Sequence, residues 1–276
     1  MPNSNRPLLV RPDWLFEHIF DPTIVVVDCR WRLGNPSYGD QAFFEGHIPG
    51  AVRLDMERDL SAPPGRYGGR HPLPSPRIFE RKLSDLGIGH QTHVVCYDDD
   101  AAGSARAWFC LTYHGHAQVS VLDGGVRAWL AAGYPLSQDP PATQPKSFVA
   151  RPNPRLVVDY QTVSHLRDVL PLIDARAPER FHGEIEPVDA VAGHIPGAVN
   201  YPHTAVLTEQ GTYRSREELQ QLFAPVLDQA HPPIVYCGSG VTACINLLAL
   251  RQAGVESLLY PGSWSDWIQH EDAPIG

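Results

Sequence analysis

GHIPGAV occupies residues 46–52, and the same seven letters return at 193–199. Such a repeat implies a duplicated domain when other matches keep the same order. Upstream, IVVVDCR (24–30) matches LPLIDAR (170–176). Downstream, HVVCYDD (93–99) matches PIVYCGS (233–239), and VLDGGVRAW (121–129) matches LLYPGSWSDW (258–267), with Gly124 on Gly262 and Trp129 on Trp267. Four matches in one order imply two homologous domains, over 1–140 and 155–276. The stretch PLSQDPPATQPKSFVARPNP (135–154) is rich in proline and polar groups and reads as a connection, with 141–154 as the linker.

Within each copy the apolar runs are short and β-branched. Strands are expected over Ile24–Val27, Val94–Tyr97, Val119–Leu122, Leu170–Ile173, Ile234–Tyr236 and Ser257–Tyr260. Helical patterns lie between them, over Pro76–Leu86, Ser104–His114, Arg216–Gln229 and Thr242–Ala253. Strands apolar throughout, alternating with helices, predict an α/β fold: in each domain a parallel sheet with helices on both faces. Chemistry in such folds sits at the strand ends.

Composition narrows the function. The chain has 276 residues, 43% of them hydrophobic and 19% charged, with a formal charge of -9. No basic block appears, which argues against a nucleic-acid partner. The five cysteines, Cys29, Cys96, Cys110, Cys237 and Cys244, are odd in number and never spaced CxxC. That argues against a disulfide framework and a zinc site. The N-terminus has no apolar signal core and no run of eighteen apolar residues occurs, so the default is a cytoplasmic protein with no membrane partner.

Cys237 follows the expected strand Ile234–Tyr236, and a glycine-rich turn separates it from the next helix. Gly238 and Gly240 let the backbone curl with its N–H groups inward, a setting that favours an anion. A cysteine there is expected to be a better thiolate. The alternative is a buried structural cysteine. The other copy carries Asp98 at this position, and an aspartate cannot be a sulfur nucleophile. The second domain is therefore expected to be the active one and the first an inactive copy. Cys96, Cys110 and Cys244 read as packing residues, and Cys29, near a strand end, has nothing to support a role.

DCR, DAR, the doubled GHIPGA, DGGVRAW, YPGSWSDW and CGSGVTA together resemble the tandem rhodanese-type sulfurtransferases over about residues 8–270. The resemblance implies two rhodanese-like domains, with Cys237 carrying a persulfide. Its loop, Cys237 to Thr242, has the CGSGVTA form of the 3-mercaptopyruvate subgroup. The thiosulfate:cyanide subgroup tends to place basic residues after the cysteine. The implied reaction moves sulfur from 3-mercaptopyruvate through Cys237 to a thiol, cyanide or thioredoxin-like acceptor, with no cofactor beyond the covalent sulfur. Alternatives are thiosulfate as donor, or a non-catalytic sulfur carrier or binding protein.

The same resemblance implies a proton relay of Ser239 with His71 and an acid, Glu57 or alternatively Asp59, both drawn from the first domain. It places Arg180 as an anion-binding arginine, beside loop contacts from Gly238, Gly240, Val241 and Thr242. A second family arginine is missing: HGEIEPVDAVA (182–192) contains none. Arg176 has a twin in Arg30, so both read as fold-holding ion-pair residues or caps. His47 and His194 also recur in both copies, which favours loop bracing over catalysis. Trp267, twinned with Trp129, reads as core. Trp264 replaces Val126, and a pocket contact is expected of it. A cysteine phosphatase would need an arginine closing the cysteine loop, and CGSGVTAC has none.

Overall fold

The computed structural model describes residues 6–227 and 231–276. Two compact units divide the chain. The first runs through Ala62 and adds Leu73–Asn153 and Glu209–Thr212; the second comprises Pro63–Pro72, Pro154–Thr208 and Tyr213–Gly276. The linker expected over 141–154 thus groups with the first unit as far as Asn153. Residues 63–72, expected in the first domain, group with the second.

In the first unit the elements are β1 (Leu9–Val10), α1 (Pro12–His18), β2 (Ile24–Asp28), α2 (Tyr38–Glu45), β3 (Val52–Arg53), α3 (Pro76–Asp85), β4 (His93–Tyr97), α4 (Ala102–Tyr113), β5 (Val119–Leu122) and α5 (Gly125–Ala131). Their strands form a parallel sheet in the order β1-β5-β4-β2-β3. Every residue of β4 is buried, so both faces of the sheet are covered.

The second unit repeats the plan with α6 (Tyr160–Leu166), β6 (Leu172–Asp174), α7 (Pro178–Phe181), β7 (Ala198–Asn200), α8 (Arg216–Leu222), α9 (Ala224–Leu227), β8 (Ile234–Tyr236), α10 (Ala243–Ala253), β9 (Leu258–Leu259) and α11 (Ser263–Trp267). Its parallel sheet has the order β7-β6-β8-β9. The twin of β1 shrinks to a single bridge, Val157 to Leu259. The first strand begins at Leu172 because Pro171 has no N–H to offer a ladder. The helix expected over 216–229 starts with a reciprocal Ser215–Glu218 capping box. It breaks at Phe223, where Pro225 cannot continue the hydrogen-bond pattern. Residues 228 and 229 of that expectation lie outside the described residues.

One polar device ties each copy together. In the second unit Arg176 forks onto Asp174, its Nη2 standing 2.6 Å from Oδ2, and donates to the Gly193 carbonyl at 2.8 Å. The Ile195 N–H donates to the Tyr236 hydroxyl at 3.1 Å. In the first unit Arg30, Asp28, Gly46, Ile48 and Tyr97 make the same bonds. The GHIPGA segment is thereby anchored to the two central strands, as the ion-pair reading of Arg30 and Arg176 expected. These charges are buried, and removing one partner from such a pair costs about 3–5 kcal/mol. The histidines of the repeat brace loops: His47 bonds the carbonyls of Phe43 and Asp139, and His194 that of Phe181.

Trp129 and Trp267 are buried twins, each donating its indole N–H to a proline carbonyl at 2.9 Å. Trp264 departs from its expectation. It is fully buried, donates to the Val191 carbonyl and lies under the Arg176 guanidinium, so it is a core residue and not a pocket contact. Its large apolar ring gains more from the core than from a rim position.

Candidate active site

β8 delivers Cys237 to the end of its sheet, and α10 begins six residues later. The loop between them is fixed from below by the turn after β9. Ser263 accepts the Cys237 N–H at 3.1 Å and donates to the Tyr260 carbonyl at 2.9 Å. The N–H groups of Trp264 and Ser265 donate to the carbonyls of Cys237 and Gly238, each at 2.9 Å. Gly240 turns the chain with φ +76°, and a Cβ there would stand 2.4 Å from the Pro261 carbonyl oxygen. Only glycine meets both demands. The result aims the Gly240 N–H at the Cys237 sulfur, 3.2 Å away. That hydrogen bond favours a negatively charged sulfur.

The first unit keeps this backbone and changes its chemistry. Asp98 follows β4, Ala101 repeats the left-handed turn at φ 70°, and the Ala101 N–H donates to Asp98 Oδ1 at 3.0 Å. Ser104 adds its N–H and hydroxyl to the same carboxyl. Burial, reinforced by the neighbouring Asp100 charge, pushes Asp98 up to about 8. A carboxyl thus fills the position that the sulfur holds in the second unit.

His71 Nδ1 and Ser239 Oγ share a hydrogen bond of 2.7 Å, and both side chains are buried. Segment 63–72 reaches this position through the same turn. The Gly68 N–H donates to Asp266 Oδ1 at 2.7 Å and the Arg70 N–H to Ser265 Oγ at 3.1 Å. Asp266 is itself held by the Tyr260 hydroxyl at 2.6 Å. Ser263, Ser265 and Asp266 therefore set both the cysteine loop and the histidine. Sequence reasoning weighed only the tryptophans of this motif. The signal available was the Gly125 twin of Ser263: both take positive φ, 57° and 55°.

Arg180 comes from α7 and stands beside the loop, its terminal nitrogens 3.5 Å from where a Gly238 Cβ would lie. Its Nε and Nη2 bond Glu186, and Nη2 also bonds Asp189 at 3.0 Å. Burial works to raise Glu186, but bonds from Arg180 and from the N–H groups of Asp189 and Val188 outweigh it and lower its pKa. For Asp189 burial prevails over both guanidiniums and raises it. A second guanidinium, unforeseen in the sequence, belongs to Arg70. It pairs with Asp189, and its Nη2 lies 3.1 Å from the same Gly238 Cβ position. The space over Gly238 is thus bordered by two guanidiniums, which explains a glycine whose φ does not demand one. Val241 is buried and Thr242 caps α10 without a side-chain bond to it.

The acids of the sequence reading lie in the first unit. The Glu57 carboxylate accepts the Trp31 indole N–H at 3.0 Å. Asp59 accepts the Asp55 N–H and pairs with Lys82 at 3.0 Å. Cys29, Cys96, Cys110 and Cys244 are all buried thiols outside any disulfide. Burial raises the thiols of Cys29 and Cys110.

Comparison with known proteins agrees with this architecture. The rhodanese-like domain model matches residues 11–132 and again 160–270. A Pseudomonas aeruginosa protein named a probable 3-mercaptopyruvate sulfurtransferase is 43% identical, covering 97% of each chain. The thiosulfate sulfurtransferase of Rattus norvegicus is 37% identical, covering 95% of this chain and 92% of its own. The structure of 3-mercaptopyruvate sulfurtransferase from Leishmania major superposes with a TM-score of 0.84 at 29% identity, over 96% of this chain and 75% of that one. The chain belongs to the rhodanese-like family, as a two-domain sulfurtransferase. A sulfur donor and a sulfur acceptor are its substrates. Among the described residues no helix is long and apolar enough to cross a membrane.

Proposed function

We propose that this enzyme takes sulfur from 3-mercaptopyruvate, holds it as a persulfide on Cys237 and passes it to a thiol, cyanide or thioredoxin-like acceptor. The observation that carries this is the Gly240 N–H bond to the Cys237 sulfur in a loop without lysine or arginine. The thiolate attacks the donor sulfur, the donor carbon–sulfur bond breaks, and its electron pair leaves on the enolate of pyruvate. A proton completes the pyruvate, and the Ser239–His71 pair stands ready to deliver it. In the second half an acceptor thiolate attacks the outer sulfur and Cys237 leaves as thiolate. Two half-reactions through one covalent intermediate give ping-pong kinetics.

Arg180 serves as an anion-binding arm and the loop residues Gly238, Gly240, Val241 and Thr242 line the sulfur. The family resemblance adds an acid to the Ser239–His71 pair, Glu57 or alternatively Asp59; in the first unit Glu57 bonds Trp31 and Asp59 pairs with Lys82. Five cysteines without a disulfide suit a reducing, cytoplasmic setting. Thiosulfate as donor is the second reading, favoured by the absence of arginine from 182–192. Separate assays with each donor, reading sulfur delivered to cyanide and to a thiol beside a Cys237→Ser control, decide between them. Faster turnover of mercaptopyruvate supports the proposal, and faster turnover of thiosulfate overturns the donor assignment.

A further inference from the structure

We propose that Arg70 is the second anion-binding guanidinium of this enzyme, joined with Arg180 beside Gly238 to grip the carboxylate of a 2-oxo-acid donor. This deepens the reading of Cys237 as the sulfur-accepting residue and rests on it. The segment expected to supply a second arginine, 182–192, has none, yet two guanidiniums border the loop. Arg70 reaches it from a position 119 residues before Asp189, the carboxylate it shares with Arg180.

The division of labour among the nitrogens supports a ligand role. Asp189 holds Nη1 of Arg70 and Nη2 of Arg180, one nitrogen from each fork. Nη2 of Arg70 and Nη1 of Arg180 both border the space where a Gly238 side chain would stand, at 3.1 and 3.5 Å. Among the described residues Arg70 Nε is buried without a hydrogen-bond partner, a cost that a residue serving only as a pin would not need to carry. Asp189 is thus a positioning residue, setting the planes of two forks and leaving donors turned to the loop. Planar forks of this kind match a carboxylate bidentately. The carboxylate carbon of a 3-mercapto-2-oxo acid lies about 4 Å from its sulfur, close to the spacing of adjacent Cα atoms. An anion site at residue 238 therefore serves a sulfur attacked at residue 237.

The test uses two alkylating probes on the whole protein. Iodoacetate carries a carboxylate and iodoacetamide is its neutral counterpart, and both are attacked by the Cys237 thiolate. The ratio of their rates at Cys237, followed by peptide mass spectrometry, reports anion recruitment without any sulfur donor. Arg70→Met is expected to lower this ratio about ten-fold, the worth of one charge-assisted hydrogen bond, while iodoacetamide reacts at the wild-type rate. An unchanged ratio in Arg70→Met, with Arg180→Met lowering it, would make Arg70 a packing residue and overturn the inference. Should Arg70→Met slow iodoacetamide as well, showing a damaged loop, Arg70→Gln is read by the same criterion. If the wild-type enzyme ignores mercaptopyruvate but the ratio still falls, the donor assignment fails and the Arg70 site stands.

Discussion

His71 and Ser239 are 168 positions apart and meet at 2.7 Å, with both side chains buried. The bond joins a segment that groups with the second unit to the loop that bears Cys237. In the proposed reaction this buried histidine–serine pair, on the loop that bears Cys237, moves the proton. Ser239→Ala is expected to lower kcat with mercaptopyruvate on the order of a hundred-fold. The effect with thiosulfate should be smaller, because its leaving sulfite needs no carbon protonation. His71→Gln should behave alike, and the double variant should lose little more than either single one. Glu57→Gln should lower the same rate if it completes the relay, with Asp59→Asn as the comparison. Steady-state kinetics with both donors check the set.

The turn at Gly240 is expected to tolerate no side chain. Gly240→Ala combines a positive φ with a Cβ placed 2.4 Å from the Pro261 carbonyl oxygen. A loss of about 1–3 kcal/mol in urea unfolding should accompany slower alkylation of Cys237, as the N–H swings away from the sulfur. Its twin gives the opposite sign. Ala101 already bears a Cβ at φ 70°, so Ala101→Gly should leave stability unchanged or raise it by up to about 1 kcal/mol.

Tyr236 links β8 to the GHIPGA segment through the Ile195 N–H. Tyr236→Phe leaves that buried donor unpaired and also withdraws a hydrogen bond from Asp174. A loss of about 1–3 kcal/mol is expected in thermal or urea unfolding. Tyr97→Phe should cost the first unit a similar amount, because the same bonds recur there.

Acid should weaken the first unit through its buried histidines. Burial holds His93 and His116 down to about 4, so both stay neutral in the fold. On unfolding they take protons below their ordinary value of about 6.5. The stability they contribute is present above 6.5 and is lost as pH falls through 4. At pH 5.5 the loss is on the order of 1 kcal/mol for each. His116→Gln keeps a donor for the Gly89 carbonyl and removes the titration. Unfolding free energy between pH 7 and 5 should fall less steeply in that variant than in the wild type.

The repeated plan was legible because each central strand is a continuous β-branched run and each copy checks the other. The short strands escaped. Val52–Arg53 and Ala198–Asn200 are too brief to show a period, and they form only because β2 and β6 offer an edge. Of the proposed site, Cys237 stood out by its loop, and Ser239, His71 and Arg180 could be named from the family resemblance. Arg70 could not, because its approach to Gly238 depends on the Gly68 and Arg70 N–H groups donating to the Asp266 and Ser265 side chains. Those two residues have no chemistry of their own that a sequence reading would notice. Trp264 misled because its lack of a twin reflects a different core filling, not a different task.

The central claim is that Cys237 carries the sulfur. The measurement is the mass of the tryptic peptide containing Cys237 after a brief exposure of the enzyme to 3-mercaptopyruvate with no acceptor. The account predicts a gain of one sulfur atom on that peptide, removed on adding cyanide or a thiol and absent in Cys237→Ser. An unmodified Cys237 in an enzyme that still delivers sulfur from mercaptopyruvate would contradict it.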